Sequence, residues 1–358
     1  KVADVVVVNV SGDAGLKALS EGRSRVRAQG ASGGIVAGVN AAVVTAEDNS
    51  SASTVIGQGA DLRAAELTLS ALARPQLSAE GLGVALGGYL AMGGTVLKAN
   101  ANSSAALDVQ NDAQLRANSA TLRAAVERNG NNPSVSASGV GVVGGFGLSA
   151  NAVLAEANNN TTSLLRTAAS SRLIGIGRQA DWNLVANTSS RQYASTTGVT
   201  LGFLSLGAHV SNAFSDSSTR AEVNSQFGGS LGTVRVAATA NIDSEASATA
   251  GQGGVVSGNA AAASTRDDGE TVAEWLARGI GGAALEAERA ELDALHTSRV
   301  NSFVSTLNAA LVGASGAFAN NRVNARVRSE LLSSSNLEVA DYAQNALGNF
   351  IKPSASGF

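Results

Sequence analysis

Asn49-Ser50-Ser51, followed by Val55-Ile56-Gly57-Gln58-Gly59-Ala60-Asp61-Leu62-Arg63-Ala64, is answered about one period later by Asn102-Ser103-Ser104 and Ala113-Gln114-Leu115-Arg116-Ala117. A polar turn and an alternating apolar segment that return together at a fixed distance mark a repeat architecture. Working outward, the first unit opens at Gly33 and the second at Gly81. A third runs from Gly139 through Asn158-Asn159-Asn160-Thr161-Thr162 to Ala180-Asp181-Trp182-Asn183-Leu184. A fourth runs from Gly198 through Asp216-Ser217-Ser218 to Leu231-Gly232-Thr233-Val234. A fifth starts near Gly251 and reaches Asn320-Asn321 and Asn336-Leu337-Glu338-Val339. Turns taken at Asn49, Asn102, Asn159, Asp216 and Asn320 lie 53, 57, 57 and 104 residues apart. The repeat is about 55 residues long, and the last gap exceeds one period by roughly 47 residues.

Within a unit the segments alternate with period two, the strand signature. Residues 139–153 are small or apolar on both faces, with Val140, Val142, Val143, Phe146, Leu148, Ala150 and Ala152, as expected of a strand covered on both sides. Asn, Asp and Ser supply turn chemistry, because their side chains bond the local backbone and Asn and Asp tolerate positive φ. Turns at one point of every unit imply units stacked with turns aligned, each lending its neighbour a shared core. The expectation is an all-β protein, a right-handed parallel β-helix or solenoid. One unit makes either two coils or one coil bearing a hairpin arm.

The excess residues read differently. Asp267 with Glu270 forms a capping-box pattern, and Val272, Trp275, Leu276 and Ile280 follow at helical spacing. Residues 283–296 resume the pattern after Gly279, Gly281 and Gly282. The expected organisation is therefore solenoid repeats over 1–264, a helical insertion over 265–300 and a solenoid continuation over 301–358. Trp275, Leu276 and Ile280 are the candidate partner-binding knob, set against a plain packing decoration.

Composition agrees with a thin, elongated molecule. Among 358 residues there are 41 Gly but 3 Pro, aromatics are 4% and charged residues 15%, against about 25% charged in typical soluble domains. Disorder is excluded by 44% hydrophobic residues. A net charge of −3 without basic clusters argues against nucleic acid and anionic membrane. No apolar run is long enough for a membrane span. The absence of cysteine suits an exported chain without disulfides. The chain starts at Lys1 with neither Met nor signal-like segment and reads as a piece of a longer polypeptide.

Chemistry-bearing motifs are scarce. His209 lies in an apolar strand run and reads as a satisfied core or edge residue, and His296 closes the helical segment. No catalytic residue, cofactor or metal site is expected. Asp267-Asp268-Gly269-Glu270 reads as a solvated cap before it reads as a calcium site. Asp61, Asp112 and Asp181 occupy comparable repeat positions. Their convergence on adjacent rungs is what the alternative, a carbohydrate-active β-helix enzyme, requires. Asn-x-Ser/Thr triplets at Asn9, Asn49, Asn102, Asn160 and Asn187 read as turns.

Val39-Asn40-Ala41-Ala42-Val43, Asn49-Ser50-Ser51 and Val55-Ile56-Gly57-Gln58-Gly59-Ala60-Asp61-Leu62, echoed by Asn151-Ala152-Val153, Asn159-Asn160-Thr161-Thr162 and Ile174-Gly175-Ile176-Gly177, resemble filamentous-haemagglutinin-like exoproteins and leukotoxin-type filamentous adhesins. The likeness covers most of 33–250 and returns over 305–343, and the segment 265–300 departs from it. It implies two-partner export through an outer-membrane secretion partner and an extracellular place on the bacterial cell surface. It also implies adhesion to cells, surfaces or matrix polysaccharide, as in biofilm. Lateral or end-to-end self-association stays open.

Overall fold

The sequence pattern of alternation and aligned turns translates into parallel strands throughout. A computed structural model of the chain describes residues 1–332 and 336–351. The expected continuation over 301–358 therefore ends, at 352–358, outside the described residues. All named strand pairs are parallel and fall into two sheets. The smaller has six strands, Ser51–Ile56, Ser104–Val109, Thr162–Thr167, Ser218–Val223, Glu270–Trp275 and Arg326–Leu331, in that spatial order. Each pairs with the next without a register shift.

The polar turns hold the stack in line. Asn102 N–H donates to the Asp48 carbonyl, Asn160 to Ala101, Asp216 to Asn159, Asp268 to Ser215 and Asn324 to Asp267, at 2.7–2.9 Å. Side chains add to this column, with Asn102 Nδ2 donating to Asn49 Oδ1 at 2.9 Å. Each backbone donor is thus satisfied by the preceding rung, which is what a buried or stacked turn requires.

Every coil has two parts. The body is closed by the six-stranded sheet and the proximal strands of the larger sheet. Its core is made of ladders of identical register. Leu69, Leu122, Leu184, Val236 and Leu292 form one such column. Leu62, Leu115, Leu173 and Phe227 form another. From this body a hairpin arm projects. Strand Glu66–Gly87 runs outward, the chain reverses at Gly88 and Tyr89, and Leu90–Ala101 returns. Three other coils reverse at residues 35–36, 146–147 and 202–203, while the strands Gln226–Asp267 and Leu285–Val323 run through the corresponding point without a break.

The segment 265–300 is not a helical insertion. Asp267 ends the strand Gln226–Asp267, Glu270–Trp275 is the fifth strand of the small sheet, and Leu285–Val323 is a strand. The one helical turn here is the 3₁₀ turn Ile280–Gly282. Helix propensity is a weak prior that tertiary context overrides. Here the rungs on either side, Ser218–Val223 and Arg326–Leu331, offer hydrogen-bonding partners for both strand edges. Trp275 takes the inward position occupied on the other rungs by Ile56, Val109, Thr167, Val223 and Leu331. Farther on, Ala290, Leu292, Ala294, His296 and Ser298 are buried while the residues between them are not, a period of two. The long gap between turns thus holds a rung whose turn is Asp267-Asp268, and the next turn falls at Asn324.

Candidate interaction surface

The arm owes its thinness to its residues. Its inward side chains are mostly Ala, Gly, Ser, Thr and Asn, with a few larger ones such as Val44, Leu77, Leu97 and Val153 among them, and its walls meet closely. A methyl group on Gly38 would overlap the Leu86 carbonyl of the opposite wall. Between the walls one inward column reads Asn40, Gly93, Asn151, Gly207, Asn259, Ser315. On alternate rungs the Asn amide crosses the gap. Asn40 Nδ2 donates to the Gly30 carbonyl at 3.0 Å, Asn151 to Gly141 at 2.9 Å and Asn259 to Ala250 at 2.9 Å. These clamps fix the spacing of the walls where little apolar volume exists to fix it.

The next inward column places His209 after Val153 and before Ala261. Its ring packs on Gly198 of the facing wall, where a methyl group would overlap it. Its position in the strand interior follows from its apolar run, but it is not hydrogen-bonded. Neither ring nitrogen has a partner among the described residues, and the nearby Thr200 hydroxyl and Gln252 amide are equally unpaired. Burial pushes its pKa down to about 4.

The outer face of the return wall shows the opposite chemistry. One outward column reads Val39, Met92, Ala150, Leu206, Gly258, Ala314. The next reads Ala41, Gly94, Ala152, Ala208, Ala260, Gly316, and the third Val43, Val96, Leu154, Val210, Ala262, Phe318. A groove of about 810 Å³ runs along the stack over the first two of these columns, lined by Met92, Gly94, Ala152, Leu206, Ala208 and Ala260 among others. Six rungs at the usual strand spacing span about 24 Å. Val39, Val43, Met92, Leu148, Leu204, Leu206, Val312 and Phe318 are each more than a third exposed. Residues 28–46, 81–97, 129–155, 246–265 and 300–321 hold no charged side chain. A contiguous exposed apolar face of this kind marks an interaction site.

Charges are confined to the body and the base of the arm, where they pair between rungs. Arg25 meets Glu80 at 2.8 Å, Lys98 meets Glu156 at 3.2 Å and Arg191 meets Glu245 at 3.0 Å. The hydrogen bond from Arg25 holds the Glu80 carboxyl below its ordinary range. Such exposed pairs contribute little to stability, because solvent screens them.

The residues singled out by sequence are dispersed. Trp275 is fully buried in the body core, edge-on to Phe227 with ring centroids 5.9 Å apart. Leu276 is half-buried, and Ile280 sits on the 3₁₀ turn. The three do not share an exposed face. Asp61 lies against Arg116 at 3.3 Å, Asp112 sits in a turn at φ 58°, and Asp181 accepts the Thr233 N–H at 2.7 Å. They do not converge. Among the described residues no group of three His, Cys, Asp or Glu is arranged to hold a metal.

One hydrogen-bonded chain does resemble catalytic machinery. His296 Nε2 lies 2.8 Å from Asp267 Oδ2 and its Nδ1 2.9 Å from Thr271 Oγ1. All three side chains are fully buried. Asp267 also accepts the Gly269 N–H at 3.0 Å. With no room for a substrate at Thr271, the arrangement braces the turn between arm and body. Sequence reading missed this brace and left the arm as one of two options. The available signals were the long uncharged stretches and the recurring Asn-Ala pair at Asn40 and Asn151. No protein family, curated protein or solved structure matches the chain.

Proposed function

We propose that the chain is a stretch of a secreted bacterial surface fibre that works by presenting surface, with no catalysis of its own. Each repeat of about 55 residues makes one coil with a hairpin arm, and the coils wind as a right-handed parallel β-helix. That hand follows the strong preference of crossovers between parallel strands. The observation that carries the reading is the continuous parallel stacking of rungs, from Ser51–Ile56 to Arg326–Leu331, beneath an uncharged apolar arm. Stacked rungs extend a surface indefinitely along one axis, whereas catalysis needs ionisable groups converging in a cleft. Asp61, Asp112 and Asp181 stand apart, and the Asp267–His296–Thr271 chain is sealed.

The resemblance to filamentous-haemagglutinin-like and leukotoxin-type adhesins supports the reading. Its Asn-Ala-Val and Asn-Ser-Ser motifs coincide with the clamps of the arm and the turns of the stack. Under this reading the fibre leaves the cell through an outer-membrane secretion partner. It then attaches to cells, surfaces or matrix polysaccharide. The test immobilises the purified chain and measures retention of epithelial cells, alginate and dextran under flow. Retention without shortening of either polymer is expected. Chain-dependent release of oligosaccharides, or no retention of any probe, overturns the proposal.

A further inference from the structure

We infer that the outer face of the return wall is a homotypic interface, on which a second copy of this chain docks. The inference rests on the geometry of the face and not on what the fibre adheres to. First, the face is a lattice. The floor Ala41 to Gly316 lies between the column Val43 to Phe318 and the column Val39 to Ala314, which rises above it at Val39, Met92 and Leu206, and both columns are interrupted at the strand spacing. A surface with the same spacing fits such a lattice along its whole length, and the chain itself presents one. In an isologous arrangement each copy sets a ridge into the other's floor.

Second, the area is sufficient. Six rungs at about 4.8 Å and eight residues at about 3.3 Å give a face of about 750 Å². Two facing copies cover about 1,500 Å² in total, within the range of about 1,200–2,000 Å² for stable interfaces. Third, the chemistry has the order of an interface. The centre is apolar and uncharged, and the next outward column, Thr45, Lys98, Glu156, Asn212, Ser264 and Asn320, makes a polar rim. The opposite outer face of the arm suits this less, because Ser78, Ser138, Ser195, Thr197, Ser247 and Thr249 interrupt it. A lipid surface would call for basic residues beside the apolar patch. None lies in the uncharged stretches, and Lys98 at the rim is already paired with Glu156.

Ala152 and Ala260 are exposed floor residues two rungs apart, so Ala152→Glu with Ala260→Glu places charge in the interface without entering the core. Ser138→Glu with Ser247→Glu is the matched control on the opposite wall. Sedimentation velocity of the full chain from 1 to about 100 µM is expected to show a dimer for wild type and control. The floor variant should dissociate about a hundredfold more readily, as an unpaired buried charge requires. Unchanged far-ultraviolet dichroism certifies the fold of both variants, and the melting temperature of the floor variant should match that of wild type diluted to its monomer, since the dimer itself adds stability. A wild-type monomer throughout, or a floor variant that dimerises like wild type, refutes the inference. So does a monomer that floats with phosphatidylcholine–phosphatidylglycerol vesicles and loses this in the floor variant, which would assign the face to lipid.

Discussion

Acidification should open the arm around His209 before it disturbs the body. The ring is completely buried, and its pKa stands near 4 against an ordinary 6.5. In the opened arm the imidazole takes up a proton as pH falls through about 6.5. In the closed arm it does so only near 4. The stability tied to the neutral ring is therefore full above pH 6.5 and is lost progressively toward pH 4. At about 1.4 kcal/mol per pH decade, closure at pH 4.5 is weaker than at pH 7 by about 2.5 kcal/mol. Hydrogen exchange read by mass spectrometry over 192–215, corrected for the intrinsic pH dependence, should show protection falling roughly seventyfold. The control is His209→Val, since the same column holds Val153 one rung earlier and Ala261 one rung later. Carboxylates titrate alike in both proteins, so the difference isolates the imidazole. Equal pH dependence in wild type and His209→Val, or none in wild type, would refute the reasoning.

Other perturbations probe the remaining contacts. Trp275→Ala should cost about 3–5 kcal/mol in urea denaturation, because the ring is enclosed in the body core; an unchanged midpoint would return this residue to an exposed knob. Gly198→Ala should destabilise the arm by overlap with His209, and Gly198→Ala with His209→Ala should recover about 1–3 kcal/mol of that loss; additive effects in the cycle would deny the contact. Asn151→Ala should weaken closure by about 1–2 kcal/mol and speed exchange over 139–155; unaltered protection there would show that the amide does not clamp the walls.

The turns and the body were legible because their chemistry is local. Asn49, Asn102, Asp216 and their neighbours announce bends, and Leu62, Leu115 and Leu67, Leu69 announce inward faces. The parallel, all-β class followed from these. The rung at 265–300 was not legible. Its turn is Asp267-Asp268 without a Ser pair, and Val272, Trp275 and Leu276 imitate helical spacing. Only the neighbouring rungs decide that Trp275 points inward, and a neighbour about one coil away in sequence leaves no local trace. The arm was half-legible. A hairpin arm was one of two options for a unit this long, but the alternation of Asn and Gly down one column becomes meaningful only with the register. The buried chain Asp267–His296–Thr271 joins residues 25 to 29 positions apart and had no motif to reveal it.

Body and arm are stabilised by different means, and this difference connects the fold to the proposed association. The body buries Trp182, Trp275, Phe227 and columns of Leu, the apolar side chains from which hydrophobic stabilisation derives. The arm has the same backbone ladders but an interior made mostly of Ala, Gly, Ser and Asn with a few Val and Leu such as Val44, Leu97 and Val153, so it buries less apolar area per rung than the body, and Asn40, Asn151 and Asn259 add hydrogen bonds between its walls. Meanwhile it exposes Val39, Val43, Met92, Leu204 and Leu206 on the outside. For a sheet in an ordinary sandwich these would be inner-face residues, covered by a second layer about 10 Å away. The arm therefore also carries large apolar side chains where a further layer would sit. A copy of the chain laid against this face supplies that layer, and contact between molecules then adds to the modest stabilisation of the arm's interior.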